Sequence, residues 1–132
     1  LIPLIKTSGC LRLGVLLGGM HLAAAAAGLG TIVRRPPLLV AASDLGPATA
    51  HAITLGGPLC TPADQFAEQL PLPELQTGDL LAILNAGAYG LTYSPSGFLS
   101  HPAAAEIFVD AGEARVTRQR GSADDSLRGQ SR

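Results

Sequence analysis

A chain of 132 residues that is 47% hydrophobic is long enough for one domain with a core of its own. A formal net charge of −1 removes any electrostatic basis for nucleic-acid binding. Aromatic residues make up only 4% and tryptophan is absent, so the core has to be built from Leu, Val, Ile and Ala.

Sixteen glycines and ten prolines favour many short elements joined by tight turns. The two cysteines, Cys10 and Cys60, are far apart and form neither a CxxC pair nor a disulfide scaffold; a reducing, cytoplasmic setting is the expectation. The chain opens at Leu1 within a β-prone run, as a piece of a longer protein would.

Leu1–Ile5 reads as a strand and Lys6–Gly9 as a turn. Cys10–Leu17 is a second strand, broken by Gly18-Gly19. Met20–Gly30, with five consecutive alanines, is a helix of two or three turns between glycines. No formal charge occurs from Gly14 to Gly30, but five glycines and a histidine in that stretch argue against a membrane span and against a secretory signal. Thr31–Ala42 is a strand interrupted by Pro36-Pro37, which places it at an edge or a bend. Ser43–Ala48 is a loop, and Ala50–Leu55 is a strand leading into Gly56-Gly57-Pro58-Leu59-Cys60.

Thr61, Pro62 and Asp64 stand where an N-cap, an N1 proline and an N3 acid would start a helix. The spacing predicts a helix over Pro62–Gln69, ended by Leu70-Pro71-Leu72-Pro73. After a turn at Thr77-Gly78-Asp79, Asp79–Asn85 and Ala88–Ser94 read as strands about a kink at Ala86-Gly87. Ser94–Gly97 is a turn. Ala104–Asp110 and Glu113–Gln119 form a hairpin about Ala111-Gly112. Residues 1–120 make one β-domain, and 121–132 is expected to be a disordered tail. With about eight short strands, two short helices and no βαβ rhythm, the fold class is mainly β, an antiparallel barrel or sandwich.

Cys60 is the first candidate for chemistry. A thiol at a helix N-terminus has its thiolate favoured, which suits a proton donor or nucleophile. A small buried apolar residue is the commoner fate of a free cysteine. Nothing at a suitable spacing completes a Cys-His pair, so a cysteine hydrolase is poorly supported. Tyr89, between Ala88 and Gly90, is the second: Gly87 and Gly90 allow close approach of a ligand, although by itself a strand tyrosine with a satisfied hydroxyl is the commoner reading. His21, His51 and His101 do not share metal-ligand spacing, so no metal site is expected, and each histidine reads as solvated or singly hydrogen-bonded.

The Gly57-Pro58-Leu59-Cys60 turn, the Thr77-Gly78-Asp79-Leu80-Leu81 stretch and Ala86-Gly87-Ala88-Tyr89-Gly90, in this order, resemble the C-terminal sheet domain of the group IV pyridoxal-phosphate decarboxylases. This is the ornithine/diaminopimelate/arginine decarboxylase family, with an alanine-racemase-like two-domain fold. The likeness covers roughly residues 1–120. It implies that Cys60 reaches the partner subunit's active site in a homodimer and supplies the proton that replaces the departing carboxylate. It implies that the Tyr89 hydroxyl binds the cofactor phosphate, that Phe98 lies near the active site and that Ala105–Val109 is the closing strand.

Gly18-Gly19-Met20 is similar to a family turn usually preceded by Asp, where this chain has Leu17. Thr61 takes the place of an acidic residue that reads the substrate's distal amine. A neutral hydroxyl cannot pair with an ammonium in that way, which argues against ornithine, lysine or diaminopimelate. Leu59-Cys60-Thr61-Pro62, Ser94-Pro95 and Phe98-Leu99-Ser100-His101-Pro102 resemble a branch that includes decarboxylases of exosortase clusters and of carrier-tethered aminoacyl groups. The family's cofactor-binding lysine belongs to an N-terminal (β/α)₈ barrel. Lys6 is the only lysine here and lacks that context, so the chain by itself is expected to be inactive. A non-catalytic interaction domain and a free-standing β-domain with an unrelated small ligand are the competing readings.

Overall fold

Gly9, at φ 58, turns the chain between two short apolar runs, β1 (Leu4–Ser8) and β2 (Leu11–Val15), which pair antiparallel from Leu4↔Val15 to Ser8↔Leu11. This computed structural model describes residues 2–9, 11–30, 32, 36–43 and 49–131. The expected start of the second strand at Cys10, most of the Ser43–Ala48 loop, and Thr31 with residues 33–35 lie outside them. The chain divides into two units, Leu1–Ser94 and Pro95–Arg132.

In the first unit a glycine turn and α1 (Met20–Ala23) follow β2. Of the strand expected over Thr31–Ala42, the described residues form β3 (Leu39–Ala41). β4 (Ala50–Gly56) lies beside β2 in parallel, Leu13↔Thr54 to Val15↔Gly56, and the Leu16 N–H extends the ladder to the Gly56 carbonyl at 2.7 Å. β5 (Gln65–Pro73) pairs antiparallel with β4, giving a sheet of order β1-β2-β4-β5. β6 (Leu81–Ile83) pairs with β3 as a separate two-stranded ribbon. The fold is mainly β with few short helices, as expected. The parallel β2–β4 pair departs from a purely antiparallel design, and among the described residues the sheets do not close into a barrel.

Burial explains this pairing. Ile53 and Leu55 of β4 and Phe66, Ala67 and Leu72 of β5 are buried. Gly14 lets β2 lie close to them, since a Cβ there would stand 2.8 Å from the Leu55 side chain. The helix expected over Pro62–Gln69 is therefore the start of a strand: a local cap signal is overridden by burial of Phe66 and Ala67 against β4. Gln69 absorbs a register shift at φ 51, with its N–H on the Thr54 hydroxyl at 3.3 Å. Pro71 and Pro73 are tolerated because β5 is the outer strand.

The second correction concerns Ala88–Ser94, expected as a strand. It contains α2 (Tyr89–Thr92). Asn85 (φ 56) and Gly87 (φ 62) end the extended run. The Thr92 and Ser94 hydroxyls then donate to the carbonyls four residues back, Ala88 and Gly90, each at 2.7 Å.

In the second unit, Phe98–Ser100 is a 3-10 turn with Leu99 (φ 53) and Ser100 (φ 58) left-handed. The hairpin follows as read from sequence: β7 (Glu106–Asp110) and β8 (Glu113–Arg118) meet about Ala111 (φ 48) and Gly112 (φ 82). One face carries the Arg118–Glu106 ion pair at 2.8 Å and Arg115 over the Phe108 ring at 4.9 Å. Within 121–132, Ala123–Leu127 is a 3-10 turn with a Ser122/Asp125 capping box.

Candidate functional site

The site is organised by a residue that the sequence placed in the wrong helix. Asp64 is buried, and its two carboxylate oxygens take one backbone N–H each: Met20 at 2.5 Å and Leu59 at 2.7 Å. Asp64 does cap a helix, but it is α1, 44 residues upstream, and not a helix of its own. The first-turn N–H groups of a helix have no intrahelical partner, and a carboxylate is a favourable acceptor for one of them. Close packing follows: a Cβ on Gly19 would stand 2.6 Å from the carboxylate, and one on Gly57 would overlap it. Both glycine pairs, 18-19 and 56-57, thus each contribute one glycine to the same buried acid.

Backbone bonds close the loop on which Cys60 sits. The Gly57 N–H donates to the Asp64 carbonyl at 2.8 Å, and the Asp64 N–H to the Thr61 carbonyl at 3.0 Å. The Thr61 hydroxyl accepts the Ala63 N–H at 3.3 Å, so it caps a turn where a helix cap was expected. The Cys60 thiol is free and exposed at the head of this loop. The expectation that a helix end acts on the thiol has no counterpart, because β5 begins at Gln65.

Tyr89 opens α2 and is 71% exposed. Ser94 holds this segment in place: besides bonding Gly90, its oxygen accepts the Ala24 N–H at 2.9 Å. Ala24 is the C-cap of α1 and Met20 its first residue. The cysteine loop and the tyrosine helix are therefore moored to one helical turn, four residues or about 6 Å apart along its axis. The clefts beside α1, one lined by Ala23, Ile83, Ala86 and Gly90 and one by Leu16, Gly19, Leu22 and Phe66, include neither Cys60 nor Tyr89. Phe98 is half-buried in the second unit.

The remaining candidates stand apart from these. Lys6 is exposed in β1 opposite Leu13. Leu17, at the position where an Asp was expected, is exposed. His21 is buried on α1, so of its two readings the solvated one does not hold, and His51 and His101 are half-buried. Among the described residues no three His, Cys, Asp or Glu side chains form a metal-binding group, and no helix is long and apolar enough to cross a membrane. Sequence reasoning missed the tertiary roles of Asp64 and Ser94. The available signal was the pair of diglycines, which mark close backbone approach.

The sequence profile of the C-terminal sheet domain of the pyridoxal-dependent decarboxylases matches residues 13–87. The chain belongs to this family. A curated relative in the family, the L-glutamyl-[BtrI acyl-carrier protein] decarboxylase of Niallia circulans, is 40% identical over 111 residues, which is 82% of this chain and 26% of that protein. The diaminopimelate decarboxylase of Methanothermobacter thermautotrophicus is 42% identical over 81 residues, 61% of this chain and 19% of that protein. A crystal structure of diaminopimelate decarboxylase superposes over 96% of this chain and 31% of its own with a TM-score of 0.81 at 27% identity. The chain thus spans about a quarter of the length of the decarboxylases it matches.

The family's cofactor is pyridoxal phosphate, and the residues present suit one end of it. The exposed Tyr89 phenol is a hydrogen-bond donor suited to a phosphate oxygen, and the side-chain direction of nearby Gly87 is open space. No lysine stands in either of the two segments moored to α1, so the carbonyl end of the cofactor finds no amine there.

Proposed function

We propose that this chain is the C-terminal part of a pyridoxal-phosphate-dependent carboxy-lyase acting on an L-amino acid or a carrier-tethered aminoacyl group. Cys60 gives a proton to the carbon that loses carbon dioxide, and the Tyr89 hydroxyl holds the cofactor phosphate. The barrel with its lysine comes from additional N-terminal sequence or from another chain, and the active site is completed across a homodimer in the cytoplasm. The observation that carries this reading is the common mooring: the Cys60 loop and the Tyr89 helix hang from Met20 and Ala24 of α1.

Bound pyridoxal phosphate supplies the electron sink for decarboxylation. The chain's own task is then to place an acid and a phosphate anchor. Cys60 suits the first because its thiol is exposed at the head of a loop closed by backbone bonds. Tyr89 suits the second because its side chain is exposed on a helix fixed by Ser94. Thr61 and Phe98 are the proposed substrate contacts. Thr61 offers a neutral hydroxyl, which favours a substrate without a free distal ammonium. Replacing Cys60 by Ala in the chain joined to a cofactor-binding barrel tests the role. Slowed or misdirected protonation with cofactor binding retained is the expected result, and wild-type turnover and product would refute it.

The absence of a second lysine and the exposed Leu17 favour one alternative, a truncated or degenerate paralogue that pairs with a related enzyme as a non-catalytic interaction domain. A stable but inactive complex with a barrel-containing relative, seen by size-exclusion mixing, would select it.

A further inference from the structure

We propose that Asp64 is a positioning residue for Cys60, holding the thiol-bearing loop against α1 through its bonds to the Leu59 and Met20 N–H groups. The proposal rests on the reading of Cys60 as the proton donor and extends it to the residue that sets the donor's place. Leu59 directly precedes Cys60, so the 2.7 Å bond to Asp64 fixes the peptide that carries the thiol. The 2.5 Å bond to Met20 ties the same carboxylate to the helix that also moors the Tyr89 segment through Ser94. Each oxygen has its own donor, and the carboxylate fills the space that a Cβ on Gly19 or Gly57 would need. A proton donor is effective only when held within hydrogen-bond reach of its target, and a loop needs support from inside to hold a side chain so closely. An amide cannot replace Asp64, because Asn accepts at one atom and turns an N–H toward the other backbone N–H.

The test places a nitroxide label on Cys60 in a Cys10→Ser background of the chain and compares Asp64→Asn with Leu55→Ala, a core variant matched for loss of global stability. Asp64→Asn is expected to sharpen the nitroxide spectrum and speed exchange of the Leu59 and Met20 amides by about tenfold or more, while Leu55→Ala does neither beyond its global effect. Gly57→Ala, whose Cβ would overlap the carboxylate, provides a second variant with the same direction of change. In the chain joined to a barrel, Asp64→Asn should lower kcat by about tenfold or more with KM little changed. An unchanged spectrum and unchanged exchange, or equal changes in Leu55→Ala, would overturn the proposal, as would full kcat. Failure of Cys60 as proton donor is read separately, from Cys60→Ala turnover, and the label and exchange measurements do not depend on it.

Discussion

The Met20 N–H and the Asp64 carboxylate meet at 2.5 Å, joining the start of α1 to the loop that carries the exposed thiol. This bond is between groups 44 residues apart, so it forms only when the β2–β4 pairing has brought both loops to one end of the sheet. Removing the acceptor leaves two buried N–H groups without it. Asp64→Ala is expected to lower the stability of the fold by about 2–4 kcal/mol. Urea unfolding followed by circular dichroism measures this, and a loss below about 1 kcal/mol would mean that water replaces the carboxylate freely.

Gly19→Ala tests the same packing from the other side. The new methyl would stand 2.6 Å from the Asp64 carboxylate, well inside contact distance. The neighbouring atoms are a hydrogen-bonded carboxylate and not a free side-chain end, so the strain cannot relax without breaking a bond. A loss of about 1–3 kcal/mol is expected, in contrast to Gly97→Ala, where the side-chain direction is open space. Paired unfolding curves of the two variants supply the comparison.

What could be read from the sequence, and what could not, follows from the range of the interactions. The Ala104–Gln119 hairpin was legible because both strands and the turn lie within one short stretch. The Cys60 loop and the Gly87–Gly90 segment were legible as motifs because their glycines, proline, thiol and phenol are adjacent in the chain. The Pro62–Gln69 helix was misread because Thr61 and Asp64 carry cap chemistry, yet Asp64 spends it on α1 while Phe66 and Ala67 are drawn into β5. Ala88–Ser94 was misread for a related reason. Its helical turn depends on Ser94 bonding both Gly90 and the distant Ala24, and no local pattern announces the second partner.

Ser94→Ala should therefore loosen α2 without disturbing the main sheet. It removes the acceptor of the Ala24 N–H and the donor to the Gly90 carbonyl. A cost of about 1–2 kcal/mol is expected, visible as faster exchange at Ala24 and at the amides of α2 while those of β4 stay protected. Equal loss of protection in β4 would show that the mooring is global and not local.

Tyr89→Phe separates binding from folding. The side chain is 71% exposed, so its hydroxyl contributes little to the fold, and stability should stay within about 0.5 kcal/mol of the parent. If the hydroxyl donates to the cofactor phosphate, the same change in a barrel-completed protein should weaken pyridoxal phosphate binding by about tenfold or more, as expected for losing a hydrogen bond to a charged group. Titration followed by cofactor absorbance gives the affinity, and unchanged affinity would remove Tyr89 from the phosphate site.

The β7–β8 turn offers the clearest stabilising change. Ala111 and Gly112 are both left-handed, at φ 48 and φ 82, the backbone of a type I′ hairpin turn. An alanine at the first position pays a steric penalty of about 1–2 kcal/mol that asparagine largely avoids. Ala111→Asn should therefore protect the hairpin amides, with a gain of about 0.5–1 kcal/mol in local stability. Gly112→Ala should act in the opposite direction, because it puts a second Cβ into the left-handed region where nothing nearby can compensate. Exchange rates at Ile107 and Val116, which face each other across the ladder, read both effects, and a slower rate in Gly112→Ala than in the parent would show that the turn does not limit the hairpin.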